Sequence, residues 1–426
     1  MTEERLSWFA GVDWGSQKHQ ACLLDAAGAV VGEREFPHGG SGLALLCDWL
    51  VALAGDARAV AVAIEVPHGP VVDTLLDRGF AVHAINPKQL DRLRDRFSVA
   101  GAKDDRRDAR IAAAGLRTDP FLYRRVEMGA PVVIELREWS RLAEELQQER
   151  VRLSNRVRQQ LWRYYPQLLA LAEDVAAEWV LALWSLAPTP AKAACLRQTT
   201  MARLLKQHHI RKVDAATALG ILRQPAITVA PGVTEAAVLH LRSLMARLRV
   251  VNRELHVAEH KLDELCTALS TTGSEPENIR VSDGAILRSL PGIGRITLAI
   301  LLSEASGPLS RRDYAALRTL SGVAPVTKRS GKSHIVVMRY AAHQRLRNAV
   351  FYWARSAVQT DPKSRLRYAA LRQRGHSYGR ALRGVADRLL GVACTLLKHQ
   401  TTFDPKLSMP PAGAAGDTAP QSLSGA

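Results

Sequence analysis

The sequence predicts an α/β domain followed by a mostly α-helical remainder. Two observations carry this: short apolar runs alternate with helical segments over the first third, and two long stretches of helical apolar spacing occupy the middle. Residues 9–14 and 20–25 read as strands joined by the polar turn 15–18, and 29–36 as a third strand after an Ala-Ala-Gly turn. Residues 42–54 are helical by apolar spacing, and 59–65 is an alanine and valine run suited to a buried strand. Residues 70–78 are helical, and 80–85 form another strand. Pro87 opens a basic helix, and residues 104–116 form one more.

The order βββαβαβα matches a ribonuclease-H-like fold and also fits a generic α/β domain. Beyond it, Leu142, Leu146, Val151, Leu153, Val157 and Leu161 mark one long helix over 139–171, and Leu241 to Leu265 mark a second over 235–269. The two can pair within one chain or across a dimer. Between them lies a helical insert bounded by Pro188, Pro190, Pro225 and Pro231. Its basic stretch, Lys206 to Lys212, reads either as a solvated helix end or as a nucleic-acid contact. The Ser/Thr/Gly/Glu-rich linker 271–277 marks a boundary, and the Pro/Ala/Gly/Ser-rich tail from 405 is expected to be disordered. The expected domains are therefore 1–125 (α/β), 126–275 (helical, coiled-coil-like, with the insert), 276–404 (mostly helical C-terminal domain) and a 405–426 tail.

Lys+Arg is 58 against 41 Asp+Glu, a formal charge of +17. Such an excess points to a polyanionic partner, bound by phosphate neutralisation and counterion release. No apolar run is long enough to span a bilayer, so no membrane role is expected. The N-terminus lacks the apolar core of a secretory signal, and the odd, sparse set of five cysteines fits a reducing cytoplasm. The cysteines read as packing residues.

Four acids form the first constellation. Asp13 ends the first strand in Gly-Val-Asp-Trp-Gly, and Glu65 ends the alanine and valine strand. Asp105 and Asp108 stand three apart, a spacing that puts both on one helix face. Carboxylates at strand ends facing a helix with two more can hold hard divalent ions, Mg²⁺ or Mn²⁺, which activate an attacking oxygen and stabilise a leaving one in phosphoryl transfer. Each acid alone has a plain reading as turn residue, helix cap or solvated charge, with Asp104 or Asp105 as the cap. Glu65 is the sharpest, because an acid ending a buried apolar strand is costly unless paired or metal-bound.

The second constellation lies near the C-terminus. Leu290-Pro291-Gly292-Ile293-Gly294 looks like a helix-hairpin-helix turn, in which Gly292 and Gly294 let backbone N–H groups approach a phosphate; a simple glycine connection between helices reads equally well. Then comes Lys328-Arg329-Ser330-Gly331-Lys332, a serine among cations that suits attack on a phosphodiester or a basic surface turn. Ser321 and Ser333 are nearby rivals. Arg339, Arg345 and Arg347 continue the basic character and suit phosphate contacts.

Taken together and in order, these motifs resemble the bacterial insertion-sequence DEDD transposases of the one-hundred-and-ten group, which are related to Piv-type DNA invertases. The resemblance runs from about Phe9 to Asp404. It rests on Gly-Val-Asp, Ile-Glu-Val-Pro, Asn86-Pro87, Gly-Ala-Lys-Asp-Asp-Arg-Arg-Asp-Ala, Leu-Pro-Gly-Ile-Gly, Ser330-Gly331, and the stretches 345–353 and 381–387. It implies a RuvC-like nuclease domain whose four acids match Asp13, Glu65, Asp105 and Asp108. It also implies a C-terminal serine recombinase centre at Ser330 that forms a covalent link to DNA. A homodimer or homotetramer would bring the acids of one subunit to the serine of another. A structured bridge RNA encoded by the element would set specificity, so that the protein reads backbone rather than bases. A bacterial, nucleoid-associated protein is then expected. The alternatives are a site-specific invertase, a Holliday-junction-type nuclease using only the acids, and a nucleic-acid-binding scaffold. The insert and the long tail depart from shorter members, and Asp104 stands where a small polar residue is common.

Overall fold

In the computed structural model, which describes residues 6–97, 104–271, 274–275, 278–279, 281–331 and 333–405, the expected strands and helices of the first third appear in the expected order. β1 (Trp8–Trp14), β2 (Lys18–Leu24) and β3 (Val30–Pro37) form an antiparallel meander. After α1 (Gly40–Ala54), β4 (Val60–Ile64) pairs parallel to β1. After α2 (Pro70–Asp77), β5 (Ala81–Ala84) pairs parallel to β4. α3 (Pro87–Phe97) and α4 (Asp105–Thr118) follow, then a short antiparallel edge strand, β6 (Arg124–Arg125), which the sequence pattern does not predict. The sheet order is β3-β2-β1-β4-β5-β6.

β4 explains its own composition. All five residues are buried, as a strand covered on both faces requires. Val60, Val62 and Ile64 pack with Leu46 and Leu50 of α1 and with Leu75 of α2. Ala61 and Ala63 face the other way, toward Ile111, Ala112 and Leu116 of α4. The small residues mark the face where α4 lies closest. Gly11 of β1 carries this to its limit: a Cβ there would stand 1.9 Å from the Ala109 carbonyl oxygen. Those neighbours are backbone and cannot swing away. Gly11→Ala is expected to destabilise the protein by roughly 3 kcal/mol, the upper end for overpacking. A melting temperature equal to that of the wild type would show that α4 does not press on β1.

By internal contacts the chain divides into two compact units, Met1–Gly129 and Ala130–Ala426. The second unit begins with α5 (Pro131–Tyr164). α5 stops short of the expected end because Pro166 cannot donate to the helix ladder; α6 (Pro166–Leu171) starts afresh there. The insert continues with α7 (Glu178–Leu186), α8 (Pro190–Ala194), α9 (Gln198–Gln207) and α10 (Ala215–Leu222). Its basic stretch starts in the last turn of α9 and leaves Lys206, Arg211 and Lys212 exposed.

α11 (Val233–Thr271) runs back antiparallel to α5, so the two long helices pair within one chain. The start of α11 and the end of α5 share a core with the insert around Trp184, Met201 and Leu219. The other halves, through Leu136 and Leu262, join a second core built around Trp353. The long-helix region and the C-terminal domain therefore have common packing. The linker stretch holds two short paired strands, β7 (Ser274–Glu275) and β8 (Asn278–Ile279). The second core is completed by α12 (Asp283–Arg288), α13 (Arg295–Glu304), α14 (Ser306–Ser310), α15 (Tyr314–Leu320), α16 (Gln344–Thr360), α17 (Pro362–Gln373) and α18 (Tyr378–His399). A hairpin of β9 (Val326–Ser330) and β10 (Ser333–Val337) projects between α15 and α16 in the chain. Of the expected disordered tail, 405–426, all but Pro405 lies outside the described residues. Among the described residues, no helix is long and apolar enough to cross a membrane. Four cysteines are buried, and Cys195 is exposed.

Candidate active site and nucleic-acid interface

The register of the sheet brings the first two acids together. Val12 of β1 lies opposite Ile64 of β4 in the parallel ladder, so Asp13 and Glu65 come next, side by side at the strand ends. Both are half-buried. Side chains alternate along a strand, so Asp13 shares the α4 face with Gly11. α4 runs against the direction of β1. Its last turn reaches the β2–β3 turn, where Arg117 donates to the Ala26 carbonyl, and its first turn therefore stands near the strand end that carries Asp13.

That first turn holds the other two acids, but they are not equivalent. Asp108 is 2% exposed, whereas Asp105 is exposed to solvent. Asp104 is the N-cap, its side chain accepting from the Arg106 backbone N–H at 3.4 Å. Acids in a first turn are also favoured by the helix dipole.

Asp108 has a partner that the sequence does not announce. Arg94 of α3 grips it with both arms of its fork, Nε to Oδ1 at 2.6 Å and Nη2 to Oδ2 at 2.7 Å. Its Nη1 also bonds Asp91, one turn earlier on α3. The hydrogen bonds to Asp108 raise the Arg94 pKa above its ordinary value, and the charges of Asp108, Asp91 and Glu65 add to this. Among the described residues, no three His, Cys, Asp or Glu side chains stand close enough to hold one metal ion. The expected four-acid cage is thus not assembled as four converging ligands. Carboxylates crowded without a cation repel each other, and here Arg94 supplies the cation to Asp108. The donor set is right in kind for a hard divalent ion, all carboxylate oxygen. Asp108 is already engaged by Arg94.

In the second unit, the two glycines of the Leu-Pro-Gly-Ile-Gly turn have different roles. Gly292 has φ +71°, and a Cβ on it would stand 2.5 Å from the Ala357 backbone N of α16. It serves helix packing, next to the Trp353 indole that donates to the Pro291 carbonyl at 3.0 Å. Gly294 caps α13 with open space around it. Ser330 ends β9 at the tip of the exposed hairpin, opposite Ser333. Lys328 and Arg329 are exposed on the same strand, and alternation sets Lys328 on the Ser330 side. Lys332 lies outside the described residues. Ser321, the other rival, is buried and donates to the Leu317 carbonyl, which removes it from solvent.

The three downstream arginines are turned inward. Arg339 donates to the Ala324 carbonyl at 3.3 Å. Arg347 donates to the carbonyls of Arg339 and Tyr340, at 3.0 and 2.7 Å, and so pins the segment after β10. Arg345 donates to Glu144 at 2.6 Å and to the Ser140 hydroxyl at 3.0 Å, and also bonds Glu304. Glu304, with a side chain 7% exposed, collects Arg345, Arg141, Arg137 and His343 around one carboxylate. Arg345 was expected to touch phosphate; its guanidinium is instead committed inside the fold, because a buried acid at the end of α13 needs cations. Arg383 of α18 is a different case. Burial, then the neighbouring Arg380 and Arg347, push its pKa below the ordinary value. Its Nη1 lies 3.1 Å from the Met338 sulfur.

Sequence reasoning missed Arg94 and Glu304. The signal for Glu304 was present: it ends an apolar helix, the same argument that singled out Glu65. For Arg94 the only hint was a basic helix placed directly before the acidic one.

An α/β sheet with acids at adjacent strand ends, joined to a basic helical unit with an exposed serine hairpin, defines a nucleic-acid-directed class of protein. Within it, the chain belongs to the IS116/IS110/IS902 family of insertion-sequence transposases. Residues 10–166 match the DEDD transposase profile of IS110, and residues 284–369 match the profile described as transposase, IS116/IS110/IS902 family. The chain is 30% identical over 421 residues to the mini-circle candidate transposase for IS117 of Streptomyces coelicolor, covering 96% of this chain and 99% of that protein. It is 58% identical over 217 residues to the candidate transposase y4uE of Sinorhizobium fredii, covering 50% of this chain and 60% of that relative. It is 26% identical over 413 residues to an uncharacterised 44.8 kDa protein of the insertion element IS116 of Streptomyces clavuligerus.

Proposed function

We propose that this chain cleaves and exchanges DNA strands at the ends of an insertion sequence through two centres. The first is a divalent-ion site of Asp13, Glu65, Asp105 and Asp108 in a RuvC-like domain; the second is Ser330. The observation that carries this reading is the ladder register that sets Asp13 beside Glu65, with the acidic first turn of α4 at the same strand ends. A bound Mg²⁺ or Mn²⁺ would supply Lewis acidity and lower the pKa of an attacking oxygen. The four carboxylates would have to draw together to hold it, Asp108 once Arg94 gives way.

Ser330 is the nucleophile in this reading. Its Oγ forms a bond to phosphorus while the bond from phosphorus to a deoxyribose oxygen breaks, and the serine proton leaves with that oxygen as a hydroxyl. One phosphoester replaces another, so no energy source is needed. Attack by a hydroxyl of another strand reverses the step and releases the serine. Lys328, on the Ser330 side of the strand, stabilises the developing charge, and Arg329 on the other side holds neighbouring phosphate. The arginines around Arg383 hold neighbouring phosphates. These are contacts to backbone rather than to base edges, which agrees with base selection by a structured guide RNA. A homodimer or homotetramer is the working form.

Asp13→Asn tests the acidic centre. On a plasmid carrying the element ends, with guide RNA and Mg²⁺, strand exchange is expected to fall on the order of 10³-fold, as for loss of a charge-stabilising group at a phosphoryl-transfer site. DNA binding should persist. Exchange that survives both Asp13→Asn and chelation of Mg²⁺ would remove the divalent-ion site from the mechanism.

A further inference from the structure

We propose that Arg94 is a built-in counter-cation of the acidic site, one that competes with a divalent ion for Asp108 and so sets the affinity of the site for metal. The proposal rests on the reading of the four acids as a divalent-ion site. Both oxygens of Asp108 are taken by the Arg94 fork, at 2.6 and 2.7 Å. A metal ion needs at least one of those oxygens. Two cations cannot share so small a site without repulsion, and arginine does not escape by losing its proton. Arg94 therefore has to give ground when an ion binds Asp108.

The fold provides a place for it to go. Asp91 lies one turn earlier on α3, is 63% exposed in its side chain, and already bonds the third arm of the guanidinium. Arg94 can release Asp108 and remain paired. The charge of Glu65 also favours the cationic form of Arg94, after the larger effects of Asp108 and Asp91.

Calorimetric titration of the full-length chain with Mn²⁺ alone, paired with thermal unfolding with and without Mn²⁺, decides the matter. Arg94→Gln is expected to bind Mn²⁺ on the order of tenfold more tightly than the wild type, since a charge-assisted bidentate competitor is removed. It should unfold at a lower temperature without Mn²⁺ and recover more of that loss with Mn²⁺ than the wild type gains. Asp91→Asn, a surface change that should fold, removes the resting place and is expected to weaken Mn²⁺ binding. Equal Mn²⁺ affinity in wild type, Arg94→Gln and Asp91→Asn would make the pair purely structural and overturn the proposal while leaving the divalent-ion reading intact. Weaker binding by Arg94→Gln would overturn it in favour of a positioning role. Absence of Mn²⁺ binding in all three chains would end both readings together.

Discussion

Ser330→Ala is expected to abolish covalent attachment of the protein to DNA and to lower strand exchange on the order of 10⁴-fold or more, as loss of a nucleophile does elsewhere. The effect should be confined to chemistry. Ser330 sits exposed at the end of β9, at a hairpin tip, where removal of a hydroxyl disturbs no core. Melting temperature and DNA affinity should hold. The readout is a denaturing gel of protein cross-linked to labelled donor DNA, with Ser333→Ala as the companion. Ser333 lies directly opposite in the ladder. If Ser333→Ala removes the cross-link and Ser330→Ala does not, the nucleophile has been assigned to the wrong strand. If cleavage survives both changes and still requires divalent ions, the acids work alone, as in a junction nuclease.

The placement of Asp13 and Glu65 at adjacent strand ends was legible in the sequence to the extent that local pattern and strand order determine it. A Val-Ala-Val-Ala-Ile run ending in Glu65 suits a buried strand, which the fold covers on both faces, and an acid at its end needs a reason. Gly11 before Asp13 tells the same story once α4 is seen to lie against it. The split between Asp105 and Asp108 was not legible, because helical spacing gives a face but not its depth. Nor was Arg94, which meets Asp108 from another helix, 14 residues away in the chain. In the second unit, the glycine turn and the arginines after β10 have the composition of a phosphate-binding surface. Only tertiary packing shows that Gly292 is pressed against α16 and that Arg345 is consumed by acids. Composition counts cations; it does not count those already neutralised inside the fold.

That distinction carries the second large effect. Glu304→Gln is expected to cost about 3–5 kcal/mol of stability, the range for removing one side of a buried ion pair. The carboxylate is 7% exposed in its side chain and gathers three arginines and a histidine from α5 and from the start of α16. With a neutral amide in its place the three arginines repel one another in poor solvent, and the join between α5, α13 and α16 loosens. A loss of this size lowers the melting temperature by on the order of 10 °C in a unit this large. Arg345→Ala should do much the same, leaving Glu304 and Glu144 short of a partner. Both variants should keep the salt dependence of DNA binding of the wild type at temperatures where they are folded, because a cation held internally releases no counterion. Lys328→Ala is the contrast: little change in melting temperature and a shallower salt slope, by about one unit. Were Arg345→Ala to flatten the salt slope without lowering the melting temperature, its guanidinium would have to reach phosphate after all, and the Glu304 cluster would have to open for it to do so.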